Sequence, residues 1–343
     1  LHRRGPGLLL RDIQRGDDAQ IDAVVAIIAQ VAPDVLLLTG FDWDLDGLAL
    51  TALSDHLARV GASYPHRFAP RPNSGVMTDF DMDGDGRLGG PRDAQGFGRF
   101  TGEGAMALLS RWPIKAEAAV NFTDLLWRDL PGAILPELGG EPFPSSRAQA
   151  AQRLSSVGHW AVPVTTPGGP VWVLAYHATP PVFDGPEDRN GLRNRDEAAL
   201  WLHWLAGALD VPAPGGPLVL MGDANLDPDD GDGRPDALSA LLTHPRLSDP
   251  QPRSDGGAAA SARQGGANDD HVGDPALDTA DWADASDASR NAPGNLRVDY
   301  VVPSRDLTVH AAGIHWPTDG ADLARAEVAS RHRLVWIDVE ITP

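Results

Sequence analysis

The 343-residue sequence contains no cysteine and only one lysine, Lys115. Without cysteine the chain can form neither a disulfide framework nor a thiolate metal site, although this leaves the cellular compartment open. The 48 acidic residues exceed the 28 basic ones, which gives a formal net charge of −20. Because non-specific binding to nucleic acid needs lysine and arginine to neutralise phosphates, this charge disfavours long duplex nucleic acid as a partner.

Long apolar runs are also missing from the sequence. No stretch approaches the ~20 apolar residues that a membrane-spanning helix needs, and no signal peptide is visible. The length is sufficient for one large domain. The irregular, Asp- and Gly-rich stretches 71–98 and 254–295 do not separate two cores. We therefore expect a single domain over residues 1–343, with a long irregular insertion near 254–295.

Helical and strand patterns alternate along the chain. The apolar spacing of 19–32, after Asp17 and Asp18, predicts an amphipathic helix. The continuous apolar run 35–38 predicts a buried strand, and similar runs follow at 104–110, 171–176 and 218–221. Residues 194–197 resemble a capping box and predict a helix that begins there and ends near 209. This alternation indicates a layered α/β domain.

The most informative motif is Gly-Asp-Ala-Asn at 222–225, which ends the apolar run 217–221. An acid and an amide two residues apart, Asp223 and Asn225, point the same way at the end of a strand. In α/β proteins this sheet edge often carries the chemistry. The alternative is an ordinary turn, since Gly, Asp and Asn are turn-forming residues.

Three further segments are each predicted to be a strand that ends in a polar group. They are Val171–His177, Leu296–Ser304 and Ser330–Trp336. In this order, together with the Gly-Asp-Ala-Asn turn, they resemble the endonuclease/exonuclease/phosphatase superfamily, which includes DNase I-like nucleases and sphingomyelinases. The stretch Phe183–Gly191 makes the resemblance closest to a bacterial, secreted branch, which implies a periplasmic or extracellular location.

This resemblance implies an α/β fold, a four-layer α/β/β/α sandwich of two packed mixed sheets. In the superfamily the first strand ends in a catalytic Asn. Here the sequence opens at Leu1 to Gly5, where that strand would already have ended. We therefore expect the first strand and its Asn to be missing from this sequence.

Phosphoester hydrolysis needs a positioned water and stabilisation of charge on the phosphoryl oxygens. Asp223 is a candidate base for the water, while Asn225 and His177 are candidate donors to the phosphate. Asp299 would orient His332 and favour its imidazolium form, as in the triad of serine hydrolases. The resemblance assigns catalytic roles to the same five positions. Each residue alone would more simply be a satisfied polar group or turn residue.

The chain departs from the superfamily at two carboxylates that would hold a divalent cation. Gly40 stands where the metal-binding Glu is expected, and Arg331 replaces the Asp of the usual Ser-Asp-His motif. Asp42 or Asp44 could supply the missing oxygen ligand beside Asp223, since Mg²⁺ and Mn²⁺ prefer oxygen. Alternatively, Arg331 could take over part of the cation's charge by binding the phosphate.

Two other features bear on ligands. Asp79, Asp81 and Asp83, followed by Gly84, match the opening of an EF-hand loop and form a candidate Ca²⁺ loop, although position 12 is Gly90 and not Glu. Arg189, together with neighbouring arginines in the stretch 189–195, forms a candidate basic patch that would bind substrate. The simpler interpretation of the acidic stretch is a solvated turn. The simpler interpretation of the arginines is a solvated helix start.

The sequence therefore predicts a metal-dependent phosphoester hydrolase. We expect a phosphodiesterase that uses Mg²⁺ or Mn²⁺, with Ca²⁺ as another option, on a small, lipid-like or nucleic-acid phosphoester. The alternative is a catalytically degenerate homologue that acts as a binding module and holds Ca²⁺ in its Asp-rich loops. Gly40 and Arg331 favour the module, whereas retention of the five candidate catalytic residues favours the enzyme.

Overall fold

The computed structural model describes residues 1–282 and 292–341, which contain eight α-helices and fourteen β-strands. The helices are α1 (Leu8–Arg15), α2 (Ala19–Val31), α3 (Leu48–Arg59), α4 (Ser146–Ala151), α5 (Arg189–Leu205), α6 (Asp236–Leu242), α7 (Asp255–Gln264) and α8 (Gly320–Ala329). The strands are β1 (Val35–Phe41), β2 (His66–Phe68), β3 (Ala105–Ser110), β4 (Val120–Asn121), β5 (Glu137–Leu138), β6 (Glu141–Pro142), β7 (Gly158–Thr166), β8 (Gly169–His177), β9 (Leu218–Asp223), β10 (Ala280–Asp281), β11 (Asn295–Leu296), β12 (Asp299–Pro303), β13 (Thr308–His315) and β14 (Leu334–Glu340).

Two sheets form the centre of the fold. The larger has the strand order β12-β9-β8-β7-β4, in which only β8 and β9 are parallel. The smaller has the order β1-β3-β2. The hairpin β13-β14 packs its apolar residues, Val335 among them, against Val219 of β9 and Val301 of β12. The result is a mixed α/β sandwich with two packed sheets, which confirms the predicted fold class.

The alternation of side chains along β3 shows how the layers form. Ala107 and Leu109 belong to the core with helices α1, α2 and α3, whereas Met106 and Leu108 belong to the core between the sheets. Successive strand residues point to opposite faces, so a strand that is apolar at every position is covered on both sides. Helices α5 and α6 cover the outer face of the larger sheet in the same way.

Most elements lie where the sequence predicts them, but the start of α5 is wrong in the prediction. The helix begins at Arg189, five residues before Asn194, and residues 194–197 lie within it. Asn194 and Glu197 are buried and bind backbone groups of neighbouring loops. A polar cluster that would cap a helix in solvent is used here inside the protein.

The stretch 254–295 is less irregular than expected. Its first part forms α7, whose N-terminus is capped by the Ser254 hydroxyl accepting from the Gly257 N–H at 3.0 Å. Ala260 of this helix packs against Ile314 and Trp316, which gives the stretch a core contact. Residues 283–291 of the predicted insertion lie outside the described residues.

A cavity of about 530 Å³ lies between the two sheets. In the described part of the chain, β1 pairs with β3 alone and β14 with β13 alone, and both strands line this cavity. Asp299 and His332 also contribute to its wall, so the cavity extends to the polar edge of the larger sheet. None of the helices within residues 1–282 and 292–341 combines the length and apolar character needed to cross a bilayer.

Candidate active site

Three neighbouring strands bring polar side chains to one edge of the larger sheet. β8 ends at His177, β9 ends at Asp223, and these two residues are directly paired in the parallel ladder. β12 runs antiparallel to β9 and begins at Asp299, which is paired with Asp223 on the other side. Because directly paired residues share a face, the three side chains lie in a row. The prediction that each polar group lies at the end of its strand is wrong for Asp299, which begins β12, and for His332, which precedes β14. Because β12 runs antiparallel to β9, its start meets the ends of β8 and β9.

His332 completes the cluster from the segment before β14. Its Nδ1 lies 2.9 Å from Oδ2 of Asp299 and 3.8 Å from Oδ2 of Asp223. The Trp282 ring stands edge-on to the imidazole, with 5.3 Å between the ring centroids. The predicted pairing of Asp299 with His332 is thus present in the structure. On the far side of Asp223, Nε2 of His177 lies 3.4 Å from the same Oδ2.

The two histidines differ in charge state because their surroundings differ. Burial acts to lower the pKa of His332, but the carboxylates of Asp299 and Asp223 outweigh it and raise this pKa to about 9. Burial, and then the positive charge of His332, lower the pKa of His177 to about 4. At neutral pH the cluster therefore holds one imidazolium and one neutral imidazole.

Asp223 lies between these histidines and is almost fully buried. Burial raises its pKa to about 7, with His332 acting against this rise and Asp299 adding to it. A carboxylate with a raised pKa close to neutrality is suited to accepting a proton from water.

Asn225 is held by the turn that follows β9. Its backbone N–H donates to Oδ1 of Asp223 at 2.8 Å, and its Nδ2 donates to the Ala178 carbonyl at 2.8 Å. Its φ of 50° lies in the left-handed region, which Asn tolerates better than most residues. Asn225 therefore ties the end of β9 to the end of β8, and its amide keeps a second hydrogen for another acceptor.

Thr279 was not singled out in the sequence, yet it positions Asp299. Its hydroxyl oxygen accepts the N–H groups of Val298 and Asp299, each at 2.9 Å. This contact fixes the backbone at the start of β12. Thr279 lies in a stretch rich in Ala, Gly and Asp, where no pattern in the sequence marks it.

Asp42 and Asp44 do not join the cluster. The two oxygens of Asp42 accept the N–H groups of Arg3 at 2.7 Å and Gly104 at 3.0 Å. Those of Asp44 accept the first N–H groups of α3, from Leu48 at 2.8 Å and Ala49 at 2.9 Å. The structure thus uses both carboxylates to fix the backbone, and the predicted replacement of the Glu ligand by either one is not found.

The two candidate substrate-binding arginines differ in their surroundings. Arg331 is exposed and directly precedes His332, and its role in binding the phosphate stays a prediction. Arg189 is the first residue of α5 and donates from Nη1 to the Met82 carbonyl. Its guanidinium therefore fixes the loop that carries the acidic motif.

The acidic loop itself has a different register from the predicted one. Asp81, Asp83 and Asp85 place carboxylate oxygens within 4.8 Å of one another, whereas Asp79 is exposed and outside this group. The N–H groups of Gly84 and Gly86 donate to the two oxygens of Asp81 at 2.6 and 2.9 Å. The candidate Ca²⁺ loop is therefore shifted by two residues along the chain.

Asp223, Asp299 and His332 form the other group in the described chain whose ligand atoms lie within 4.8 Å of one another. Two carboxylates held side by side, one of them buried, provide the oxygen donors that a hard divalent cation prefers. A cation between them would also relieve the repulsion that helps to raise the pKa of Asp223. The donor set of this site therefore fits a divalent cation.

The comparisons with known proteins agree with this fold. The family model described as "Endonuclease/Exonuclease/phosphatase family" matches residues 12–332, and no curated protein matches the chain. Among solved structures, the endonuclease/exonuclease/phosphatase from Beutenbergia cavernae is 19% identical with a TM-score of 0.55, over 94% of this chain and 66% of its own. This chain thus spans just under two thirds of that protein.

A family protein from Leptotrichia buccalis is 16% identical with a TM-score of 0.51, over 94% of this chain and 92% of its own. At these low identities the two solved structures show only that this chain has the same fold. The family itself is shown by the family model, which matches nearly the whole chain. The chain belongs to the endonuclease/exonuclease/phosphatase family.

Proposed function

We propose that this protein is a phosphodiesterase that hydrolyses a small or lipid-like phosphoester with the help of Mg²⁺ or Mn²⁺. The family includes metal-dependent phosphoesterases and nucleases, which supports the reaction class. The observation that carries the proposal is the contiguous cluster of His177, Asp223, Asp299 and His332 at one sheet edge. The charge of −20 favours a compact substrate over a long duplex.

Each side chain has a role that follows from its contacts. Asp223 orients the attacking water and accepts its proton as the new P–O bond forms. The ester P–O bond breaks at the same time, and the leaving oxygen departs with the bonding electron pair and takes a proton from solvent water. His332, held as an imidazolium by Asp299, balances the negative charge that accumulates on the phosphoryl oxygens. His177 and the free amide hydrogen of Asn225 are neutral donors that can bind a phosphoryl oxygen.

The carboxylates of Asp223 and Asp299 would hold the divalent cation, whose chemistry is to polarise a phosphoryl oxygen and stabilise charge on it. Gly40 supplies no carboxylate, and the nearby acids Asp42 and Asp44 are used elsewhere. We infer that this site holds its cation with fewer protein carboxylates than the superfamily pattern. A cation held in this way would keep more of its bound water, as Mg²⁺ commonly does in proteins.

Hydrolysis of two chromogenic esters tests the proposal. Bis-(p-nitrophenyl) phosphate and p-nitrophenyl phosphate are offered to the wild type and to Asp223→Asn with Mg²⁺, Mn²⁺, Ca²⁺ or EDTA. We expect diester turnover with Mg²⁺ or Mn²⁺ that is lost with EDTA and in the variant. Faster turnover of the monoester would make the protein a phosphomonoesterase instead.

The second candidate function is the degenerate binding module, which the grouped carboxylates of Asp81, Asp83 and Asp85 favour. It predicts no turnover of either ester with any metal, together with a Ca²⁺-dependent rise in Tm. That rise would be lost in Asp83→Asn. We also propose a periplasmic or extracellular location, which fractionation of cells that produce the protein would test.

A further inference from the structure

Helix α5 contributes a fully buried carboxylate that no part of the proposed reaction uses. Glu197 accepts three hydrogen bonds through its two oxygens. Oε1 accepts from the backbone N–H of Ser156 at 2.6 Å and from its hydroxyl at 2.8 Å. Oε2 accepts from the backbone N–H of Thr179 at 2.7 Å. Both donor residues belong to segments next to His177.

These contacts hold the backbone on two sides of His177. Thr179 follows His177 by two residues, and Ser156 precedes β7, whose first residue, Gly158, is paired with His177. The Ser156 hydroxyl also lies 3.3 Å from the His177 carbonyl oxygen. Glu197 therefore holds the end of β8 through two segments. One is the chain that follows β8, at Thr179, and the other is the segment that precedes the partner strand β7, at Ser156.

Asn194, one turn earlier on the same helix, connects His177 to Asp223. Its Nδ2 donates to the carbonyl of Thr179 at 2.8 Å and to that of Ala224, the residue after Asp223, at 2.7 Å. A single amide therefore spans the two strand ends that carry these side chains. Residues three apart on a helix lie on the same face, so Asn194 and Glu197 act on one region.

We propose that Glu197 and Asn194, which we call the α5 clamp, are positioning residues for the active site. Glu197 sets the orientation of the His177 imidazole, and Asn194 sets the separation between His177 and Asp223. The clamp touches neither the substrate nor the cation. Substitution of a residue that holds an active-site side chain in place typically lowers activity or metal affinity about 10- to 100-fold.

The neighbouring residue Asp196 provides a matched control. It is also a buried carboxylate of α5, and its Oδ2 accepts from Trp127 Nε1 at 2.7 Å and from the N–H of Ile134 at 2.8 Å. Its Oδ1 accepts from the Arg195 guanidinium at 2.7 Å. Asp196 therefore resembles Glu197 in burial and hydrogen bonding but binds a part of the chain remote from His177.

The test compares Glu197→Gln with Asp196→Asn. In each variant an amide NH₂ group replaces one carboxylate oxygen, so one hydrogen-bond donor of the protein loses its acceptor and faces another donor. The first measurement is the ¹H–¹³C cross-peak of the His177 ring, assigned by its loss in His177→Gln. The second is kcat and KM for bis-(p-nitrophenyl) phosphate. For its kinetic consequence the inference rests on the proposed function, whereas the NMR measurement needs no turnover.

We expect Glu197→Gln to move the His177 cross-peak and to lower kcat about 10- to 100-fold, with KM unchanged. Asp196→Asn should leave the cross-peak and kcat as in the wild type. If the wild type turns over no ester, the proposed function fails, and the cross-peaks still decide the inference. An unmoved cross-peak in Glu197→Gln, or an equal movement in Asp196→Asn, overturns the positioning role.

Ser156→Ala covers the case in which Glu197→Gln does not fold. It removes one of the three donors to Glu197 and leaves the two backbone N–H groups in place. If Ser156→Ala folds, its His177 cross-peak should move. The movement should be smaller than the one that loss of all three hydrogen bonds to Glu197 would produce. A cross-peak identical to that of the wild type contradicts the inference here as well.

Discussion

The carboxyl end of β9 and that of β1 both carry acidic residues, but they use them differently. At the end of β9, Asp223 is paired with His177 and Asp299 and lies 3.8 Å from His332. At the end of β1, the carboxylate of Asp42 is satisfied by two backbone N–H groups. One edge is thus electrostatically strained and suited to chemistry, while the other fixes the chain.

This difference shows that an acid at a strand end is not by itself a candidate metal ligand. Burial raises the pKa of Asp42, and the N–H groups of Gly104 and Arg3 act against this rise. The oxygens of Asp42 and Asp44 already accept backbone N–H groups, which leaves little capacity for a cation. Asp223 is buried as well, but a neighbouring imidazolium and a neighbouring carboxylate also affect its pKa. The partners of a carboxylate, more than its position in the sequence, indicate which of the two uses it has.

The largest effect should come from Asp223→Asn. The amide cannot accept a proton from water, so kcat for the diester should fall about 10²- to 10⁴-fold. Steady-state kinetics on the purified protein measure this, with Asp44→Asn as the control at the other edge. Equal losses in the two variants would erase the distinction between the edges.

Asp299→Asn should have the next largest effect. It removes the carboxylate that accepts from His332 at 2.9 Å, so the pKa of His332 should fall from about 9 towards its ordinary value of 6.5. The smaller imidazolium population at pH 8 should lower kcat by up to about 30-fold, the ratio of the two imidazolium fractions. An NMR titration of the His332 ring measures this pKa in Asp299→Asn. An unchanged pKa would show that Asp299 does not hold His332 as an imidazolium.

The raised pKa of His332 also predicts how stability depends on pH. The folded state binds this proton more tightly than the unfolded state, so the stabilisation is complete below pH 6.5 and is lost as pH rises towards 9. Urea unfolding of the wild type and His332→Gln in EDTA, from pH 6 to 9.5, gives the difference in unfolding free energy. This difference should decline with pH, whereas a constant value would mean that His332 is not charged through its carboxylate neighbours.

Asp42→Asn should affect stability and not chemistry. In this variant an amide NH₂ group replaces one carboxylate oxygen, so one of the two backbone N–H groups loses its acceptor. This loss should lower the free energy of unfolding by about 1–3 kcal/mol. Chemical denaturation measures the loss, and kcat of the folded variant should match the wild type. A large fall in kcat without a loss of stability would place Asp42 in the active site.

The smallest effect should come from Asp44→Ala at the start of α3. Loss of the contacts to the N–H groups of Leu48 and Ala49 should cost about 1 kcal/mol, as for other helix caps. Thermal unfolding would show a modest fall in Tm with turnover unchanged. A change in metal dependence would instead favour the original expectation of a ligand at Asp44.

The sequence was sufficient to predict the layered fold and the residues at the ends of β8 and β9, because short apolar runs followed by polar groups are local patterns. It could not place Thr279 or Glu197. Their partners, Asp299 and Ser156, lie 20 and 41 residues away in the chain. Asn194 and Glu197 were misread as a helix start because polar residues usually mark an exposed end.

The most direct test of the central claim is the Mn²⁺ concentration that gives half-maximal hydrolysis of bis-(p-nitrophenyl) phosphate. It is compared among the wild type, Asp299→Asn and Asp42→Asn. If β9 and β12 hold the cation, Asp299→Asn should need much more Mn²⁺ and Asp42→Asn should need the same amount as the wild type. A raised requirement in Asp42→Asn with an unchanged one in Asp299→Asn would place the cation at the end of β1 and contradict the account.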